Sequence, residues 1–227
     1  MVETTHFIYD ERKLAGLRLA LSEPRFATYL SRAAGDQESA FKLYVWNTYL
    51  SEALYMPLQS LEVALRNSAD RALTSFWGAT WYDPTFLAGK LQAEQIQRVE
   101  KVLDKHSESK MGTPLTKDYI VANLGFAFWV DLFFFREYEK LWQFCLHRSF
   151  PNKQKGTQRS HVAPIIKPLH MLRNRVAHHE PIAWSSNPRL DQHHTNLLKL
   201  ICWVSPETEA WIRQHSRFEE VWQNKPQ

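Results

Sequence analysis

The residues best suited to chemistry are gathered in one short stretch, Leu172, Arg173, Asn174, Arg175, Val176, Ala177, His178, His179, Glu180, Pro181 and Ile182. On a helix, where successive residues turn by about 100°, Asn174 and His178 stack one turn apart. Arg173 sits on the adjacent edge with a side chain long enough to reach the same spot. A guanidinium grips phosphate bidentately. An imidazole that titrates near neutrality takes a proton from a 2′-hydroxyl or gives one to a leaving 5′-oxygen. These are the parts of a metal-free ribonuclease site. Placed in the last helical turn, His178 would feel the negative end of the helix dipole, which favours the imidazolium. Arg175 and His179 form a second i, i+4 pair on another part of the circumference. The plain structural alternative for the whole cluster is capping, in which Arg and His near a helix end bind the free carbonyls.

The elements that must position this cluster read as helices throughout. Apolar residues spaced three and four apart mark a helix from about Glu38 into the mid-fifties, stopping or kinking at Pro57. A second follows, with Leu58, Leu61, Leu65, Ala69, Ala72 and Phe76 as its stripe and Gly78 as its C-cap signal. Gln92 to Lys105 is amphipathic, and Ser107 to Thr116 reads as a polar loop. Lys117 to Phe128 and Trp129 to Phe150 read as one long or two consecutive aromatic-rich helices, and Trp129, Phe133, Phe134, Trp142 and Phe144 read as core at helical spacing rather than as platforms on which bases stack. Pro151 to Ser160 is a basic loop. Val162 to His179 is a helix that ends because Pro181 disfavours αR at Glu180. Leu190 to Trp203 and Pro206 to His215 complete an all-α bundle.

Composition narrows the class further. The chain has 227 residues, with 44% hydrophobic and 23% charged, and a mean hydropathy of −0.44, which predicts a folded protein. Seven Gly argue against turn-rich β architectures and Gly-rich phosphate loops. Two Cys, 145 and 202, cannot form a disulfide framework, which fits a reducing cytoplasm. The N-terminus has no cationic segment leading into an apolar run, so no signal peptide is expected. Leu124 to Phe135 is interrupted by Asp131 and is too short for a membrane span, so no membrane association is expected.

The net charge is only +4, but its distribution is uneven. Between Glu139 and Glu180 there is no acid, while Lys140, Arg148, Lys153, Lys155, Arg159, Lys167, Arg173 and Arg175 all fall there. Such a segment would attract a polyanion through counterion release, unless acids elsewhere in the fold neutralise it. Lys153, Lys155, Arg159 and Lys167 are the candidate RNA contacts.

The string from Leu172 to Ile182 resembles the signature of the Abi-like (abortive infection) family of bacterial proteins, a branch of the HEPN superfamily of helical-bundle RNases. Leu58 to Leu73 is similar to that family's N-terminal helix, and Leu124 to Phe150 to its central region, so the resemblance runs from about Trp46 to Trp184. It implies a single HEPN-type bundle over residues 1–227 with additional N-terminal and C-terminal helices. It also implies a metal-independent endoribonuclease in which Arg173 holds the scissile phosphate, Asn174 positions groups by hydrogen bonds and His178 transfers protons, leaving a cyclic phosphate. A homodimer with a composite cleft, a role in phage defence or as a toxin, and a protein or RNA antitoxin are similarly implied. His179 and Arg175 are supporting residues, as are Glu62 and Arg66, which either form a surface ion-pair ladder with Asp70 or, by the same resemblance, orient Arg173 or His178. A non-catalytic RNA-binding module and a dimerising interaction protein are the alternatives.

His178, His179, His193 and His194 show neither HExxH spacing nor a Cys companion, so no metal site is expected, and no cofactor. No G-x-S-x-G or Walker sequence is present.

Overall fold

In the computed structural model, which describes residues 7–109 and 112–226, the chain folds as α-helices connected by short turns, with no β-strand among the described residues. The helices are α1 (Glu11–Leu21), α2 (Glu23–Arg32), α3 (Gln37–Trp77), α4 (Pro84–Leu87), α5 (Ala93–Ser109) and α6 (Lys117–Asn123). They continue with α7 (Phe126–Phe134), α8 (Glu139–Phe144), α9 (Arg159–Ala177), α10 (Leu190–Val204), α11 (Pro206–His215) and α12 (Phe218–Gln223). The segment read as a loop from Ser107 is helical as far as Ser109, residues 110 and 111 lie outside the described residues, and the turn resumes at Gly112. The first six residues, where a leader was sought in the sequence, also lie outside them.

The central element is α3, 41 residues and about 60 Å long at 1.5 Å per residue. The sequence predicts a stop or a kink at Pro57, and the helix does not stop there but continues to Trp77. Proline removes one backbone hydrogen bond and crowds the preceding turn, a cost of about 3 kcal/mol. Burial on both sides offsets it: Leu50, Ala53, Leu54, Leu58, Leu61 and Leu65 form one uninterrupted apolar stripe, and tertiary packing rather than local propensity decides where a helix ends. Asp36 caps the start by accepting the Ser39 N–H at 2.7 Å, and Gly78, at φ 94°, ends it.

The core wraps around this rod. Helices α2, α7, α9, α10 and α12 all pack on α3, and α9 lies between α7 and α10. The 3₁₀ turn Leu146–Ser149 is tied to the far end of α3 by the Ser68 hydroxyl, which donates to the Ser149 carbonyl at 3.0 Å. At the near end the Trp46 indole N–H donates to the Val221 carbonyl, holding α12 in place.

The aromatic-rich region is not one or two long helices. It is broken into α6, α7, the 3₁₀ turn Arg136–Tyr138, α8 and the 3₁₀ turn Leu146–Ser149. Phe126, Phe128, Trp129, Val130, Leu132 and Phe133 are all buried, and they point around the whole circumference of α7. No single straight helix on the surface buries every side, so the chain must turn repeatedly to surround these side chains. Trp129, Phe133 and Trp142 are core as expected, whereas Phe144 is 58% exposed. Among the described residues no helix is long and apolar enough to cross a membrane.

Two adjacent histidines of α10, His193 and His194, are buried. Burial holds both below the ordinary 6.5, aided by the Arg175 charge at His193 and by Arg213 at His194, which Glu219 partly opposes. The folded state therefore prefers them neutral, and the unfolded chain binds more protons once the pH falls through about 6.5. Stability to urea should be flat from pH 8 to about 7 and decline below about 6.5. Replacing His193 by Gln should make that decline shallower.

Candidate functional site

Helix α9 begins with a capping box, in which the Gln158 backbone N–H donates to Nδ1 of His161 at 3.1 Å. Pro164 and Pro168, one turn apart, lie on its less buried side, where water can take the carbonyl oxygens that they leave without donors. Val162, Ile166, Leu169, Leu172 and Val176 face the core. This register decides what each residue of the cluster meets.

The end of α9 is a Schellman turn. The His179 N–H reaches the Val176 carbonyl at 3.1 Å and the Glu180 N–H the Arg175 carbonyl at 2.9 Å, with His179 in the left-handed region at φ 57°. Glycine usually takes this position because a Cβ there is strained by about 1 to 2 kcal/mol. The turn is over-determined by other parts of the fold. The Arg25 guanidinium donates to the His179 carbonyl at 2.9 Å. The buried amide of Asn47 donates to the Glu180 carbonyl at 3.3 Å and accepts the N–H groups of Ile182 and Ala183 at 2.7 and 3.1 Å. Arg175 binds the Glu180 carboxylate at 3.2 Å and also the Pro181 carbonyl, so it is a clamp on this turn.

A groove of about 960 Å³ runs between the middle of α3 and this end of α9. Glu52, Tyr55, Glu62 and Arg66 line it from α3, and Arg173 and His179 from α9. Nε of Arg173 sits 3.2 Å from the Glu62 carboxylate, with the two side chains 41% and 22% exposed. Glu62 thus meets Arg173 rather than Arg66, and the ion-pair ladder along α3 does not form: Asp70 turns away to Lys117 at 3.0 Å and to the Trp81 indole at 2.8 Å. Arg66 makes no ion pair among the described residues and leans on the Asn67 side chain at 3.4 Å.

Of the expected trio Arg173, Asn174 and His178, only Arg173 lines this groove. The Asn174 amide nitrogen lies 3.2 Å from Nε2 of His170, whose ring meets the Phe126 ring edge-on. Burial, followed by the nearby Lys167 charge, lowers the His170 pKa, so its Nε2 is available to accept from Asn174. His178 is the exposed C-cap residue, its N–H closing the last helical turn on the Asn174 carbonyl at 2.9 Å, and it is His179 that lines the groove. The turn is the physical reason: the left-handed step at His179 swings that side chain back toward α3.

Half of the eight cations of the basic segment are paired with carboxylates, two of them with acids from elsewhere in the fold. Lys167 pairs with Asp131 at 3.7 Å and lies over the Phe134 ring. Lys153 donates to the His147 and Phe150 carbonyls. Arg159 corrects the expectation of an RNA contact outright: it is 7% exposed, bound to Glu139 at 2.7 Å and to the Phe133 and Phe134 carbonyls, a bolt between α9 and α7. Of the four candidate RNA contacts, only Lys155 is an exposed cation without such a partner among the described residues.

Sequence reading missed Asn47, Arg25 and Tyr55. Asn47 carried a signal, since a lone amide within an apolar stripe has to be hydrogen-bonded when buried. Arg25 and Tyr55 carried none.

Asn47→Ala should cost about 2 to 4 kcal/mol by urea denaturation, because two buried N–H groups and a carbonyl lose their partner together. His179→Gly should stay within about 1 kcal/mol of the parent, on the stabilising side, since it relieves the left-handed strain while keeping the turn. Comparison with protein-family models, with curated proteins and with solved structures finds no match to this chain.

Proposed function

We propose that this chain is a metal-independent endoribonuclease of the HEPN type that works in the groove between α3 and the end of α9. The observation that carries the reading is that a guanidinium, Arg173, and an imidazole, His179, line one groove, with a second guanidinium, Arg66, beside them. Arg173 holds the scissile phosphate. The substrate 2′-hydroxyl attacks phosphorus, the bond to the 5′-oxygen breaks, and an imidazole of the His178 and His179 pair moves the proton, leaving a 2′,3′-cyclic phosphate and a 5′-hydroxyl. The groove favours His179 for this step and the family resemblance favours His178. Glu62 orients the Arg173 guanidinium until phosphate replaces it.

Tyr55 and Val63, both exposed beside the groove, support a second copy packed across it, as the resemblance implies. Bacterial phage defence or toxin action, with an antitoxin as restraint, and a cytoplasmic site of action belong to the same proposal. A second reading, a non-catalytic RNA-binding module, is favoured by one specific fact: the Asn174 amide is engaged by His170.

The test is incubation of the purified chain with total bacterial RNA in excess EDTA, followed by end-group analysis. The parent should yield cyclic phosphate ends. Arg173→Ala and either His178→Ala or His179→Gly should lose cleavage by about 100-fold or more while binding RNA. Binding without cleavage by any of them, with affinity falling steeply with salt, selects the module.

A further inference from the structure

Two aromatic side chains escape the role that apolar patterning gives them. Phe144 is 58% exposed and Phe76 43%, and the two rings lie stacked, with centroids 5.8 Å apart and planes 10° from parallel. Phe76 continues into Trp77 at 6.1 Å, and Trp77 into Phe86 at 5.8 Å, so a row of aromatic rings crosses the end of α3, α8 and α4. In water two exposed phenylalanines are costly to hold in view, and a patch of this kind marks a contact with something else.

Charge says what that something is. Of the cations in the acid-free segment, Arg159, Lys167, Arg173 and Arg175 are all paired with carboxylates. Lys140 and Arg148 are exposed and make no ion pair among the described residues; Lys140 stands one helical turn before Phe144 on α8, and Arg148 lies in the 3₁₀ turn Leu146–Ser149 that follows. Part of the free positive charge of the segment therefore lies beside the exposed rings, with Lys155 a further free cation in the loop beyond them. Nearby carboxylates are occupied: Glu139 holds Arg159, and Asp83 caps α4 by accepting the Phe86 N–H at 2.9 Å. The next acid back along the chain, Glu137, is seven residues from Phe144.

Exposed parallel rings flanked by unpaired cations fit one ligand chemistry well, an unpaired nucleobase with its phosphates. Bases stack on aromatic faces whatever their sequence, and the cations take the backbone. A duplex hides its base faces, so the ligand is single-stranded. The patch is a separate contact from the groove. Phe76 lies about 21 Å beyond Glu62 along α3, and the turn carrying Ala69 and Leu73 between them is buried. We propose that Phe76 and Phe144 form a stacking platform for single-stranded RNA, with Lys140 and Arg148 holding the phosphates on either side.

The experiment measures binding of a short single-stranded 2′-O-methyl oligouridylate to the full chain. The blocked 2′-oxygen prevents cleavage, so the result stands whether or not the groove is a nuclease. Phe76→Ala with Phe144→Ala should weaken binding by about 5- to 150-fold. A base-free oligomer of the same length should bind the parent and this variant equally weakly. Phe144→Trp should keep parental affinity. Lys140→Glu with Arg148→Glu should weaken binding and flatten its salt dependence.

Parental affinity in the double alanine variant, or full affinity for the base-free oligomer, would overturn the proposal. So would failure of the parent to bind the oligouridylate. A parental dimer that the double alanine variant splits, with oligomer binding unchanged, would assign the patch to a second copy of the chain instead.

Discussion

The amide of Asn47 is the constraint on which the candidate site depends. It is buried in the first third of α3, and it satisfies three backbone groups of the segment that leaves α9: the Glu180 carbonyl and the N–H groups of Ile182 and Ala183. A backbone that turns sharply inside a helical protein leaves donors and acceptors without partners, and each is costly unless something reaches it. Asn47 reaches them, which lets the chain reverse direction directly against α3. With that reversal fixed, Arg25 and Arg175 close on the same turn, His179 takes a left-handed conformation that a Cβ disfavours, and its side chain is delivered to the groove. Strain held by surrounding contacts in this way is common where side chains have to be aimed.

Charge around the acid-free segment is arranged by the fold as well as by neighbours in the chain. A segment of some forty residues without an acid reads as a polyanion-binding surface. Asp131 and Glu62 from separate helices, and Glu139 and Glu180 from the two ends of the segment, pair with four of its eight cations. Arg159 shows how far this goes: it is buried, and its donors are spent on Glu139 and on two carbonyls at the end of α7. Such a pair holds two helices in register, and it gives little attraction to a ligand. The cations that remain unpaired, Lys140 and Arg148 among them, are picked out only by tracing every partner across the fold.

Helical periodicity located most of the elements, because apolar residues at three- and four-residue spacing have the same meaning on any helix. It failed in two instructive places. Pro57 is a strong local signal for a break, and it was overridden because the residues on both sides share one buried stripe. The stretch from Leu124 to Phe135 is, Asp131 apart, so uniformly apolar that periodicity carries almost no directional information, and the chain breaks there at Gly125 and Phe135 to surround its own side chains. Phe144 is misplaced for another reason: its spacing places it with the core and its position at the end of a short helix leaves it in solvent.

What the sequence determined by itself is the all-helical class, the register of α9, and the gathering of Arg173, Asn174, His178 and His179 at one helix end, since these follow from local patterning and from the turn signal at Pro181. What only the tertiary structure decided is which of those side chains share a space. Arg173 and His179 meet α3 across the groove, Asn174 meets His170, and His178 stands outside at the cap. A step of 100° per residue places side chains on a helix but stops at the helix end. Beyond it, the direction of a side chain is set by a left-handed turn whose bonding partners lie far away in the sequence, at Arg25 and Asn47.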